Sequence, residues 1–152
     1  MNAAILYAST HGRTRRAVAE AVQHLRLKAD VFNVAETAPS AVADYPLLLV
    51  FCPTYGDEEL QDDMEDFLAN FHLDLSGRFF AICELGSYYG YDDFSFGAMR
   101  IIRKKLLDLG GRELCEPLSL DSFPRTNWIH LLDWVDYLNA RINEQFRHET
   151  AA

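Results

Sequence analysis

The run LLLVFC, residues 47–52, most limits what this chain can fold into. A strand with one wet face alternates apolar and polar side chains. An unbroken apolar run must be covered on both faces, which is the condition of a parallel sheet packed between helices. Six residues are far too few to cross a bilayer. AAILYA at residues 3–8 and RFFAICELG at residues 78–86 read as two more strands of this kind. DVFNV at 30–34 is a shorter strand, and RELCEPL at 112–118 is a last one that Pro117 pushes toward a sheet edge.

Between these runs the apolar period changes to that of a helix. TRRAVAEAVQHL (14–25) places Val18, Ala21, Val22 and Leu25 on one face, and ELQDDMEDFLANF (59–71) does so with Leu60, Met64, Phe67, Leu68 and Phe71. GAMRIIRKKLLDLGG (97–111) groups Ala98, Ile101, Ile102, Leu106 and Leu109 before a glycine stop. NWIHLLDWVDYLNARINEQF (127–146) closes the chain, apolar at Leu131, Val135, Leu138 and Ile142. ETAPSAVADYP (36–46) is a loop with room for a helical turn. Strands alternating with helices predict an α/β fold: a doubly wound, five-stranded parallel sheet in the order 2-1-3-4-5, helices on both faces. Ligands of such sheets bind at the carboxyl ends of the strands, beside the switch point between strands 1 and 3. With 152 residues and no linker or repeat, one domain spanning 1–152 is expected.

The formal net charge of -9 argues against nucleic acid as the main partner and is compatible with docking onto basic protein surfaces. Cys52, Cys83 and Cys115 form no CxxC pair, so neither a zinc site nor a redox dithiol is expected, and three buried thiols suit a reducing cytosol. The start MNAAILYAST has no charged leader region, and no stretch reaches membrane-spanning length. A cytoplasmic protein with no membrane partner follows as the expectation.

Three loops fall at the predicted ligand edge. STHGRT (9–14) opens the first helix, where free backbone N–H groups and the helix dipole attract anions. Ser9, Thr10 and Thr14 add hydroxyls, and Gly12 allows close approach or positive φ. Capping of the helix by Ser9 or Thr10 and binding of a phosphate both fit this loop. It is neither GxGxxG nor GxxxxGK[ST], which disfavours a dinucleotide and a nucleoside triphosphate. CPTYGDEELQDD (52–63) sets Tyr55 beside Gly56, and ELGSYYGYDDFSFG (84–97) carries Tyr88, Tyr89, Tyr91 and Phe94. Aromatic side chains in loops suit a flat ligand, while Phe94 and Phe96 could equally fold back onto the core.

Taken together, the three loops resemble those of the flavodoxins, small FMN-binding electron carriers. STHGRT resembles the family's phosphate loop [ST]-x-T-G-x-T, with His11 where a threonine is usual. PTYGDEELQDD is similar to the loop after strand 3, and LGSYYGYDDFSFGAMRIIRKKLLDLG to the loop and helix after strand 4. The likeness covers essentially the whole chain, and the lack of a large insertion near strand 5 resembles the short-chain branch.

This resemblance implies FMN as cofactor. Ser9, Thr10, Gly12 and Thr14 would hold its phosphate, with His11 and Arg13 giving backbone N–H groups. Pro53 and Thr54 would lead to Tyr55, which covers one face of the flavin ring. Tyr91 is the first candidate for the other face and Tyr88 the second, with Phe94 in the same loop. Leu85, Gly86 and Ser87 would approach the ring edge through their backbone, and the Gly56–Asp57 peptide would turn its carbonyl toward the ring on reduction. The implied function is a low-potential one-electron carrier, not an enzyme, with no catalytic residues and no metal. It would work as a monomer between an NAD(P)H-dependent flavodoxin reductase and acceptor enzymes.

Residues 57–66 hold seven carboxylates and no basic residue. With Asp92 and Asp93 they would disfavour extra negative charge on a reduced flavin and steer basic partners. The simpler reading is a solvated helix face. Arg13, Arg15 and Arg16 crowd the first turn of a helix, against the usual preference for acids there. Arg13, or His11 when protonated, could pair with the phosphate, while Arg15 and Arg16 read as solvated. A response-regulator receiver is excluded, because its acidic and lysine positions read Ser9-Thr10, Cys52-Pro53 and Leu120-Asp121-Ser122. The alternative function is an FMN enzyme such as an NAD(P)H quinone reductase, disfavoured by the acidic rim and the lack of a second Gly-rich motif.

Overall fold

The computed structural model describes residues 2–9, 12–55, 59–86, 97–122 and 125–150, with only the backbone for 55, 59 and 147–150. Strand β1 (Asn2–Tyr7) leads into helix α1 (Arg13–His24) and strand β2 (Lys28–Asn33). Two short 3-10 turns, Val34–Glu36 and Pro39–Val42, occupy the expected loop before β3 (Leu47–Tyr55). Then follow β4 (Glu59–Leu60), α2 (Asp62–Ala69), β5 (Phe79–Gly86), α3 (Gly97–Asp108), β6 (Arg112–Glu113), β7 (Leu118–Asp121) and α4 (Trp128–Thr150).

The sheet runs β2-β1-β3-β5-β6, with β7 also on β5, and every pairing along it is parallel. This is the predicted 2-1-3-4-5 order. Two features differ from five plain strands. The short β4 turns back antiparallel on the end of β3, with Thr54 opposite Leu60. The fifth strand is split into β6 and β7 by residues 114–117. Pro117 cannot donate to the ladder, and two carbonyls of the break are drawn toward α4. Trp134 Nε1 donates to the Glu116 carbonyl at 2.9 Å and Arg141 Nε to the Leu114 carbonyl at 3.1 Å.

Alternation along the central strands feeds two apolar layers. Ile5, Leu49, Phe51, Ala81 and Cys83 face α1 and α4, and Leu6, Leu48, Val50, Cys52, Phe80 and Ile82 face α2 and α3. The helices are thus on both sides, as the unbroken runs require. Two positions predicted for helix core faces lie outside them. Val22 is 37% and Ile101 46% exposed. In each helix the neighbour one residue away, Ala21 or Ile102, takes the buried row, and the covered stripe is narrower than the apolar pattern. Helix α2 is capped by Gln61, whose Oε1 accepts from the Met64 N–H at 2.9 Å. Asp62, Asp63 and Glu65 fill its first turn, where carboxylates favour the helix dipole.

All three cysteines are free and buried. Burial pushes the thiols of Cys52 and Cys115 up to about 12, and raises that of Cys83 as well. No helix, among the described residues, is long and apolar enough to cross a membrane.

On the α2/α3 side of β2, the Tyr45 hydroxyl donates to Asp30 Oδ2 at 2.5 Å, and its ring meets Phe32 edge-on. The hydrogen bond to Asp30 raises the tyrosine's titration above its ordinary 10.0. A group with a raised folded-state pKa stabilises fully below its unfolded pKa and loses that contribution as pH climbs past it. Tyr45→Phe is therefore expected to cost about 1 kcal/mol at neutral pH, the net worth of one hydrogen bond. Urea unfolding at pH 7 and above pH 10 checks this, with the difference between wild type and variant shrinking at the higher pH.

Candidate functional site

Because the sheet is parallel, β1, β3 and β5 all end at one edge, at Tyr7, Tyr55 and Gly86. Helix α1 starts at the same edge. Its cap residue, Gly12, has φ 85 and ψ -11, the left-handed region where other residues are strained. Among the described residues no side chain caps the helix, and its first turn holds no acid. Ser9 Oγ accepts from the Gly12 N–H at 3.1 Å, linking the residues after β1 to the helix start. This removes Ser9 as a cap of the first turn: it holds the glycine instead. A Cβ built on Gly12 would meet no atom of the described residues within 4 Å. Thr14 is buried beside it and Arg13 is half-buried. Positive partial charge and adjacent hydroxyls make this a place for an anion.

The arginine cluster divides. Arg15 is exposed, as predicted. Arg16 is not merely solvated: its guanidinium lies 4.4 Å from the Trp128 ring centroid, linking the starts of α1 and α4. The other end of α1 is tied to the middle of α4 by Asn139, which accepts from the Arg26 N–H at 3.0 Å and donates to the His24 carbonyl at 3.1 Å.

Pro53 lies opposite Leu85 in the β3–β5 ladder. The Thr54 hydroxyl donates to Glu84. Leu85 is buried in the layer under α1 and α4, so only its backbone is at the edge. The Gly86 carbonyl accepts from both the N–H and the hydroxyl of Ser122, at 2.8 and 3.1 Å. Of the expected binding residues, Ser9, Gly12, Arg13, Thr14, Pro53, Thr54, Leu85 and Gly86 thus gather at one edge. Thr10, His11, Gly56, Asp57, Ser87, Tyr88, Tyr91 and Phe94 lie outside the described residues, as do Tyr89, Asp92, Asp93, Phe96 and the side chain of Tyr55.

Sequence reasoning missed Glu84, Ser119 and Ser122, whose side chains bind together the ends of β3, β5 and β7. A signal for Glu84 was available: it is the only charged residue between Phe79 and Gly86. Among the described residues no group of three or more His, Cys, Asp or Glu side chains could hold a metal.

A doubly wound sheet with an anion-ready glycine turn after its first strand defines a class of nucleotide-binding α/β proteins. The family model described as Flavodoxin matches residues 5–127, and the chain belongs to the flavodoxin family. The chain is 30% identical over 138 residues to a flavodoxin of Nitratidesulfovibrio vulgaris, with 82% of this chain and 88% of that one covered. It is 34% identical over 84 residues to a flavodoxin of Picosynechococcus sp., with 55% of this chain covered. The chain spans 49% of the length of that second relative. Among solved structures, a flavodoxin of Streptococcus pneumoniae superimposes with a TM-score of 0.83 at 23% identity, covering 95% of this chain and 99% of that one. A Fusobacterium nucleatum flavodoxin bound to flavin mononucleotide gives 0.77 at 18% identity, covering 91% and 97%.

Proposed function

We propose that residues 1–152 act as one FMN-binding domain and that the protein carries electrons one at a time between a reductase and acceptor proteins. The observation that carries this reading is Gly12, left-handed and hydrogen-bonded to Ser9 at a helix start that no described side chain caps. Membership of the flavodoxin family and the FMN bound to the Fusobacterium relative support it. When bound, FMN supplies a ring that accepts and returns single electrons.

The phosphate would rest on the start of α1, held by the hydroxyls of Ser9, Thr10 and Thr14, the Gly12 turn and the N–H groups of His11 and Arg13. The donor set fits: it offers hydroxyls and amides and puts no carboxylate in the first turn of α1. The backbone of Pro53, Thr54, Leu85, Gly86 and Ser87 would line the ring edge. Tyr55 would cover one face and Tyr91, or Tyr88, the other.

Asp62, Asp63, Glu65 and Asp66 are exposed on α2, which begins just after β3 ends. Individually they are worth little to stability in water. Together they would raise the cost of negative charge on the reduced ring and guide Lys- and Arg-rich surfaces of an NAD(P)H-dependent reductase and of acceptor enzymes to the edge. The protein would work as a cytoplasmic monomer.

Mixing the FMN-loaded protein with flavodoxin reductase and NADPH tests this. Reduction is expected only when the reductase is present, with a rate that falls severalfold between about 0.05 and 0.5 M salt as screening shortens the reach of the carboxylates. Stepwise photoreduction should pass from yellow through blue to pale. Steady NADPH oxidation by the protein alone would overturn the carrier reading in favour of a quinone-reductase-like enzyme.

A further inference from the structure

Glu84 is the one carboxylate among the described residues that has no solvent exposure at all. It sits at the carboxyl end of β5, two residues before the strand stops, on the α2/α3 side where Ile82 and Phe80 precede it in the same row. Its ladder neighbours are Cys52 on β3 and Ser119 on β7. Burying a carboxylate is costly unless hydrogen bonds replace its water. Here donors from three other elements do so. Thr54 at the end of β3 and the Met99 N–H both reach Oε1, the latter at 3.3 Å, and the Ser119 hydroxyl reaches Oε2 at 3.1 Å. Met99 is the third residue of α3, so the carboxylate also meets that helix where its dipole is positive.

An aliphatic side chain would fill this row without any desolvation cost. What the carboxylate adds is a fixed relation between parts. It joins the last residues of β3 to the last residues of β5, and both to β7 and the first turn of α3. Those strand ends, Thr54 and Leu85–Gly86, carry the backbone assigned above to the ring edge.

We infer that Glu84 is a positioning residue for the cofactor: through Thr54, Ser119 and Met99 it sets the spacing of the β3 and β5 ends, and FMN affinity depends on that spacing. The inference rests on the reading of this edge as an FMN site. Glutamine preserves the connections, because its Oε1 can accept from Thr54 and Met99 while its Nε2 donates to Ser119. Leucine removes all of them.

Titrating apoproteins with FMN and following the quenching of flavin fluorescence tests this. E84Q is expected to bind within about threefold of wild type. E84L should bind at least about tenfold more weakly, and S119A about threefold, as hydrogen bonds to the brace are lost. Urea unfolding of the apoproteins separates this from general damage: the S119A midpoint should stay near that of wild type while its affinity drops. Should E84L not fold, S119A and E84Q still decide. Wild-type affinity in E84L and S119A would overturn the inference, and so would an E84Q as weak as E84L. If wild type took up no FMN, the reading of the site would fail, and amide exchange at Met99 in the apoproteins would judge the brace separately. Protection in wild type and E84Q with exchange about tenfold faster in E84L supports it; equal rates in all three overturn it.

Discussion

Gly12→Val is expected to weaken FMN binding by about tenfold to a hundredfold, the equivalent of the roughly 1–3 kcal/mol that a strained backbone position costs. At φ 85 the glycine sits where a β-branched residue is strongly disfavoured. Without ligand, a valine there can relax the loop toward negative φ and turn the N–H groups of the first turn away. Binding must then reverse that relaxation. The added side chain also projects where the anion is proposed to sit. Fluorescence titration gives the affinity and urea unfolding of the apoprotein gives the strain that is not relaxed. The two losses should share the cost between them. A variant with wild-type affinity and wild-type stability would show that the left-handed turn is irrelevant to binding.

The second large effect concerns the frame that holds the edge together. Phe51 lies in the central strand, is 0% exposed, and meets Trp134 of α4 edge-on with ring centroids 6.2 Å apart. Phe51→Ala is expected to cost about 3–5 kcal/mol, the sum of lost transfer energy and an unfilled cavity. Against a typical domain stability of about 5–15 kcal/mol, that is roughly a fifth or more of the total. Urea unfolding measures it directly. Repeating the experiment with saturating FMN should raise both proteins by a similar amount, since a ligand stabilises by mass action through its affinity for the folded form. Phe51 faces α1 and α4, away from Thr54 and Glu84, so the affinity should change little. A stability loss below about 1 kcal/mol would mean that this layer collapses around the missing ring more completely than close packing allows.

The frame was legible because it is built from signals with long reach. The runs at 3–8, 47–52 and 78–86 are apolar on both faces, and only the interior of a parallel sheet satisfies them. Strand order followed from alternation and crossover hand. What escaped was set by tertiary partners. The break at residues 114–117 depends on Trp134 and Arg141, some 18 to 27 residues away in sequence, taking carbonyls of the strand. Val22 and Ile101 are apolar residues in helical rows, and nothing local says that Ala21 and Ile102 take the buried side.

The site was legible where its chemistry is local. A glycine after a strand and before a helix predicts a left-handed turn, and Gly12 has one. Hydroxyl roles were less legible, because Ser9, Thr54 and Ser119 could serve either ligand or protein. In the structure Thr54 and Ser119 donate to Glu84, whereas Ser9 Oγ accepts from Gly12 and keeps its own proton for a ligand. Glu84 itself was read as part of an apolar strand, since its donors come from three other elements. The arginine cluster illustrates the same limit: Arg16 finds Trp128, 112 residues later, by a contact that no spacing announces.

The central claim is that the start of α1 holds the phosphate of a flavin nucleotide. Titrating the apoprotein side by side with FMN and with riboflavin, which differs only in lacking the phosphate, tests it most directly. Several hydrogen bonds to a charged group, each worth about 1.5–3 kcal/mol, predict that FMN binds at least about a hundredfold more tightly than riboflavin. Equal affinities, or no binding of either, would contradict the account.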